Sequence, residues 1–197
     1  MPELPEVETV ARELQNSIVG RTIDTVEIHW PRTIAMPEAG LFVQRLQGRR
    51  ILQVGRRGKW LVVELDGDEY LLIHLRMSGQ IVLEPRGAVE DRHARVLIAL
   101  DNGQQLRFSD TRKFGRMALT DDPGEVLGDL GPEPLAAEFT APRLAAMLAG
   151  RRARLKTLLL DQRFLAGLGN IYTDEALWRA RLHPLRRSDT ITVDEAA

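Results

Sequence analysis

From Ile23 to Leu119 the chain is a succession of short apolar or alternating runs broken by turn residues, a pattern that constrains this stretch to sheet. The runs are Ile23–Trp30, Ile51–Gly55, Trp60–Leu65, Tyr70–Leu75, Gln80–Leu83, Arg95–Leu100, Gln105–Phe108 and Arg116–Leu119. Asp66-Gly67 and Asp101-Asn102-Gly103 separate pairs of them as hairpin turns. The pattern predicts a β-sandwich or barrel, with a short helix from Pro37 to Gln47 interrupting the strands. From Asp121 to Pro134 the chain reads DDPGEVLGDLGPEP, dense in Pro and Gly, as in a linker. Beyond it the period becomes helical: Pro142 opens a helix through Leu148 that Gly150 closes, Leu155–Leu160 gives another, and Asn170 to Ala180 a third. The class is therefore α+β, with residues 1–120 an N-terminal β-sandwich domain, 121–135 a linker and 136–197 a mostly α-helical, partial domain. The final TVDEAA reads as the first turn of a further helix. Nucleation is costly, so a lone turn is not expected to be stable, and the chain is expected to be cut short inside a domain.

Ahead of the strands, the chain begins MPELPEVE. Pro5 suits a first helical position, Glu6 and Glu8 are acids where the helix dipole favours them, and Val7, Val10, Ala11, Leu14 and Ile18 recur at helical spacing until Gly20 stops the helix. If Met1 is removed, Pro2 presents a secondary amine, and α-amino groups titrate near about 7.7–8.0. Attack of that amine on an aldehyde carbon gives a permanently cationic iminium, an electron sink, and Glu3 stands where a carboxyl group could move protons for it. While Met1 remains, Pro2 is an amide and no nucleophile. A Met-Pro start followed by Glu is by itself also that of an ordinary helix beginning.

The composition, 44% hydrophobic and 28% charged over 197 residues, is that of a soluble globular protein with one sizeable core, or a core and a smaller unit. No run approaches a membrane span, the start lacks the order of a signal peptide, and a cytoplasmic protein is expected. The chain has no cysteine, which excludes disulfides and thiolate zinc sites within it, and its four histidines show no metal-ligand spacing. The net charge of −1 hides an uneven distribution. Arg45, Arg49, Arg50, Arg56, Arg57 and Lys59 run without an intervening acid, and Arg151, Arg152, Arg154 and Lys156 form a second cluster. Such patches suit a polyanion-binding face or two solvated faces.

Lys59 lies between a glycine turn and a hydrophobic run, and His74 on a strand that ends just before Met77 and Gly79. Arg112, Lys113 and Phe114 meet in a turn closed by Gly115, where two cations beside an aromatic can hold phosphates and stack on bases. Enzymes that extract a base from a duplex need such a plug, and Met77 offers a second apolar tip. Gly167 and Gly169 precede Asn170, which reads as an N-cap whose helix start could bind phosphate, with Arg152 and Lys156 upstream.

Together PELPEVET, HLRMSGQ, FSDTRKFG and LLLDQ…AGLGNIYTDEALW, in this order, resemble the formamidopyrimidine-DNA glycosylases of the Fpg/Nei family, and PELPE resembles the formamidopyrimidine branch. The resemblance implies a β-sandwich followed by a helix-two-turn-helix domain, here apparently truncated. It implies a base-excision repair enzyme that removes 8-oxoguanine and formamidopyrimidines from double-stranded DNA and cuts abasic sites. Pro2 would attack C1′ and form the Schiff base, Glu3 would be the acid/base, Glu6 a supporting carboxylate, and Lys59 would assist β,δ-elimination near the phosphate. Met77, Arg112 and Phe114 match the wedge that fills the vacated stack and meets the orphan cytosine. His74, His93, Lys113, Arg152, Lys156 and Asn170 fall on positions resembling DNA contacts. The family carries one structural zinc on four cysteines and a lesion-covering loop, both absent from this sequence, so no cofactor is expected in this chain and its DNA binding is expected to be weak and salt-dependent. A monomer is expected. The competing readings are a catalytically weak or inactive DNA-binding fragment of the family and, more remotely, an N-terminal-proline tautomerase.

Overall fold

The computed structural model describes residues 2–88 and 91–197. It divides into two compact units, Met1–Val126 and Leu127–Ala197. The first opens with helix α1 (Leu4–Ile18), whose buried side chains are Leu4, Val7, Ala11, Leu14 and Ile18, the stripe that the sequence spacing demanded, with Val10 partly buried against the core. Glu3 is the N-cap, so Pro5 occupies the second helical position and not the first. Gly20, at φ +83°, turns the chain out of the helix, a conformation that costs glycine nothing.

Strands β1 (Ile23–Ile28), β2 (Ile34–Met36), β3 (Ile51–Arg57), β4 (Trp60–Leu65), β5 (Glu69–His74), β6 (Gly79–Pro85), β7 (Ala94–Leu100), β8 (Gln104–Asp110) and β9 (Arg116–Thr120) form two sheets, ordered β1-β7-β8-β6 and β2-β9-β5-β4-β3. Helix α2 (Ala39–Leu46) lies within the predicted 37–47 segment, buries Phe42 and Leu46, and is capped by Glu38. The pairs are antiparallel apart from β2 beside β9. Strand β2 has no counterpart in the sequence reading: it is three residues long and carries no alternation. One core joins the α1 stripe to the inward residues of both sheets, among them Leu61, Val63, Ile73, Val96, Ile98, Phe108 and Met117.

The connections between sheets position the site. The chain leaves β5 in one sheet, turns through Arg76–Ser78 and enters β6 in the other; it leaves β8 and turns through Thr111–Gly115 into β9. The registers Gly79↔Asp110 and His74↔Arg116 set these two turns side by side. The pair Trp60↔His74 brings the β3–β4 hairpin to the same end.

The second unit begins in the last residue of α3 (Gly124–Leu127), which stands inside the segment read as a linker. It contains α4 (Ala141–Ala149), α5 (Leu155–Leu160), α6 (Asn170–Arg179) and α7 (Val193–Ala196) around Leu148, Leu155, Leu158, Leu159, Phe164, Leu165, Leu177 and Ile191. Asn170 is the first helical residue of α6, and Gly169 is the cap. The trailing turn α7 does form. Thr192 and Glu195 close a capping box around it, and the Glu195 carboxylate also accepts from Arg186 Nη2 at 2.9 Å. Local side-chain bonds thus supply what an isolated turn lacks.

Leu14 is only 4% exposed. Leu14→Ala should destabilise the first unit by about 2–5 kcal/mol, since it leaves a cavity that the two sheets cannot close; urea unfolding followed by circular dichroism measures it.

Candidate active site

At the start of α1 the Glu3 backbone N–H donates to Glu6 Oε2 at 2.9 Å, one arm of a reciprocal capping box. Glu3 is fully buried. The cap fixes the direction in which Pro2, half-buried, leaves the helix. Glu6 thereby acts first as a clamp on the backbone at this end.

Lys59 sits in the two-residue turn between β3 and β4, beside Gly58 at φ +56°, as the first position of a type II′ hairpin turn requires. Burial lowers the Lys59 pKa, and the negative charge of Glu3 opposes that fall. The opposition places the ammonium within electrostatic reach of the Glu3 carboxylate.

His74 ends β5 with its ring edge-on to Trp60, centroids 4.8 Å apart. Its Nδ1 accepts from the Arg76 N–H at 3.0 Å. A backbone N–H can only donate, so Nδ1 carries no proton and the neutral ring presents Nε2–H. Burial first, then the charges of Arg76 and Lys59, bring the pKa down to about 3. His74 is a neutral donor at physiological pH, suited to a phosphate oxygen without adding charge.

Met77 at the tip of the β5–β6 turn is 43% exposed and Phe114 is 46% exposed. The Arg112 guanidinium lies 4.9 Å from the Phe114 ring centroid, the cation-beside-aromatic arrangement the sequence suggested. Lys113, at φ +60°, points its Nζ at Trp30, 3.9 Å from the ring centroid. Trp30 was not legible as part of the site, because it enters through the end of β1, more than 80 residues from Lys113.

Asp110 organises these turns. Its carboxylate accepts from Ser78 Oγ at 2.5 Å, from Gly115 N at 2.7 Å and from Arg112 N at 3.1 Å. Burial opposes its ionisation, but these donors and the Phe114 N–H prevail and hold the pKa below the ordinary aspartate value. A Cβ on Gly115 would stand 2.3 Å from Phe108 Cζ, so no side chain fits there. His93 adjoins the cluster, its carbonyl accepting from Asp110 N at 2.9 Å and its Nε2 from Arg92 Nε at 3.0 Å.

The first basic run does not form one face. Arg45 makes a two-pronged pair with Glu69 at 2.9 and 2.7 Å, Arg56 is paired with Glu8 at 2.8 Å, and Arg49 approaches Asp66 at 4.0 Å. In the second unit, Arg152 is 87% exposed, Lys156 binds Asp174 at 2.7 Å, and Asn170 is exposed at the start of α6. Gln162 knots the segment before α6. Its Nε2 donates to the carbonyls of Leu160 and Leu168, and its Oε1 accepts from the N–H of Gly167, which stands at φ +95°.

The chain matches the family model of the formamidopyrimidine-DNA glycosylase N-terminal domain over residues 1–117 and that of the formamidopyrimidine-DNA glycosylase H2TH domain over residues 130–197. It is 50% identical over 198 residues to the formamidopyrimidine-DNA glycosylase of Chloroflexus aurantiacus, covering 99% of this chain and 71% of that protein. Against that of Protochlamydia amoebophila the figures are 46% over 194 residues, 98% and 70%. Among solved structures, the Lactococcus lactis Fpg complex with DNA containing an abasic site superposes with a TM-score of 0.91 at 36% identity, covering 99% of this chain and 73% of that one. A complex of the wild-type Lactococcus lactis Fpg with DNA containing N7-benzyl-Fapy-dG gives 0.92 at 36% identity, with 99% and 73% covered.

Two outcomes follow from the geometry. Asp110→Asn turns one acceptor into a donor facing N–H groups, and should cost about 1–3 kcal/mol in urea unfolding, with broadened resonances for Ser78 and Arg112–Gly115. The His74 pKa lies below that of the unfolded chain, so its neutral form stabilises the fold fully above about pH 6.5 and progressively less as pH falls toward 3. His74→Gln should therefore flatten the fall in melting temperature between those limits.

Proposed function

The chain belongs to the formamidopyrimidine-DNA glycosylase family, and from that premise we propose that it excises oxidised purines, 8-oxoguanine and formamidopyrimidines, from duplex DNA through a Schiff base on Pro2. The observation that carries the reading is the capped Pro2–Glu3 unit, with a buried carboxylate in electrostatic reach of Lys59.

In this mechanism Met1, which lies outside the described residues, is removed. The neutral amine of Pro2 attacks C1′ of the damaged nucleotide, and the base leaves with a proton. Glu3 transfers protons as the sugar ring opens to the iminium. The cation acidifies C2′–H, and loss of that proton expels the 3′ phosphate; a second elimination expels the 5′ phosphate. Lys59, its pKa lowered by burial, assists these proton transfers near the phosphate. Met77, Arg112 and Phe114 fill the stack vacated by the everted nucleotide, with the stacked guanidinium facing the orphan base. His74 through Nε2–H, with His93 and Lys113, holds backbone phosphates, and Arg152, Lys156 and the Asn170 end of α6 do so from the second unit.

The resemblance implies one structural zinc held by four cysteines, and this sequence contains no cysteine. None of the steps above runs through a metal. No helix among the described residues is long and apolar enough to cross a membrane, and action on chromosomal DNA puts the protein in the cytoplasm, at the nucleoid.

Borohydride trapping on duplex DNA with one abasic site tests the reading, once Met1 removal is confirmed by mass. A covalent adduct is expected, abolished in Pro2→Gly. In Glu3→Gln, excision of 8-oxoguanine should fall by about 10²-fold or more, the scale of a lost general acid–base. A processed chain without an adduct would instead support a DNA-binding fragment.

A further inference from the structure

One charged pair at this end of the sandwich belongs neither to the wedge nor to the reacting carboxylates. Arg56, next to last in β3, has a side chain only 8% exposed. Its Nε donates to Glu8 Oε2 at 2.8 Å, and its Nη1 donates to the carbonyl of Gly58 at 3.2 Å. Glu8 is on α1, five residues beyond Glu3 and so about 7.5 Å along the axis from it. Gly58 is the residue before Lys59, within the same two-residue turn. A single guanidinium thus grips the helix that carries Pro2 and Glu3 with one nitrogen and the hairpin that carries Lys59 with another.

The neighbouring Arg12 shows the contrast. It also binds Glu8, at 2.7 Å, but its side chain is 77% exposed and its partner lies on the same helix, so it fixes nothing beyond α1. The pair is part-buried, Arg56 at 8% and Glu8 at 28% side-chain exposure, so desolvation offsets much of its attraction and its contribution is to geometry. The pair holds Glu8 ionised: the Arg56 hydrogen bond is the foremost cause of its lowered pKa, followed by that of Arg12.

We propose that Arg56 is a positioning residue that sets the separation between the Pro2–Glu3 end of α1 and the Lys59 ammonium, a proposal resting on the Schiff-base reading above. The apolar stripe of α1 fixes which face of the helix is buried. Along its length α1 is also tied to β3 by Gln15, whose Oε1 accepts from Val54 N–H at 2.6 Å, and Arg56, nearer the Pro2–Glu3 end, adds the tie that reaches the Lys59 turn as well. Displacement of a reacting group by about 1 Å can cost on the order of 10²-fold in rate.

The test uses the Met1-processed full chain with Arg56→Met, Arg56→Lys, Lys59→Met and the Arg56→Met/Lys59→Met double variant. Single-turnover cleavage of abasic-site DNA should fall about 10–100-fold in Arg56→Met, with the DNA Kd changed by less than about threefold. The double variant should be no slower than Lys59→Met alone, because the strut acts through that lysine. Arg56→Lys keeps charge and stem but cannot hold both partners, and should melt near wild type while cleaving about tenfold more slowly. Multiplicative losses in the double variant, or full cleavage by a folded Arg56→Lys, would overturn the proposal. Hydrogen exchange in the free protein needs no reaction: Arg56→Lys should lose protection at Lys59 and at Val7–Glu8 together. Unchanged protection at both would also overturn it. Pro2→Gly, run in parallel, reports separately on the Schiff base.

Discussion

A buried carboxylate, that of Asp110, holds the rim of this protein together. It stands where the two turns between the sheets meet, and it is fully buried. Its acceptor positions are filled by a hydroxyl from one turn and by backbone N–H groups from the other. Neither turn can move without leaving a buried charge short of donors, which is among the costliest changes a folded protein can make. Gly115 tightens the arrangement by packing its bare Cα against Phe108. The exposure of Met77, Arg112 and Phe114 is therefore consistent with rigidity: the side chains project from a frame whose backbone is pinned below them.

Around that frame, charge is sorted. Arg45, Arg56 and Arg107 are each spent on carboxylates within the first unit; Arg107 alone holds Glu84 through two nitrogens and Asp91 at 2.7 Å. Arg112 and Lys113, exposed at the rim, rest their charges against aromatic rings. His74 contributes a hydrogen-bond donor with no charge, and Lys59 has a burial-lowered pKa beside an acid. A chain with a net charge of −1 can present a cationic rim because Arg45, Arg56 and Arg107 are matched by carboxylates within the first unit, while Arg112 and Lys113 are not.

The fold was legible to the extent that its signals are local. Among the described residues, alternation located eight of the nine strands within a few residues, and helical spacing gave the buried stripe of α1. Strand β2 escaped because three residues carry no period, and its partner β9 lies some 80 residues away. Caps were misplaced by one residue: Pro5 and Asn170 each stand one position further into the helix than read, since a glutamate and a glycine took the cap positions. At the site, residues with distinctive chemistry stood out in the sequence, whereas the residues that hold them did not. Asp110 meets Ser78 from 32 residues away, and Arg56 meets Glu8 from 48. Pairings of that range have no sequence period to betray them.

The hairpin that carries Lys59 has one further consequence. Along β4 the burial alternates strictly, with Leu61, Val63 and Leu65 inward and Trp60, Val62 and Glu64 facing the other way. A slip of one residue against β3 or β5 would turn the whole apolar set out of the core, so the strand can occupy only registers two residues apart. The location of position 59 is accordingly quantised. Substitution there can change which group is offered, but intermediate placements are closed to it, and its fine adjustment has to come from whatever grips the turn.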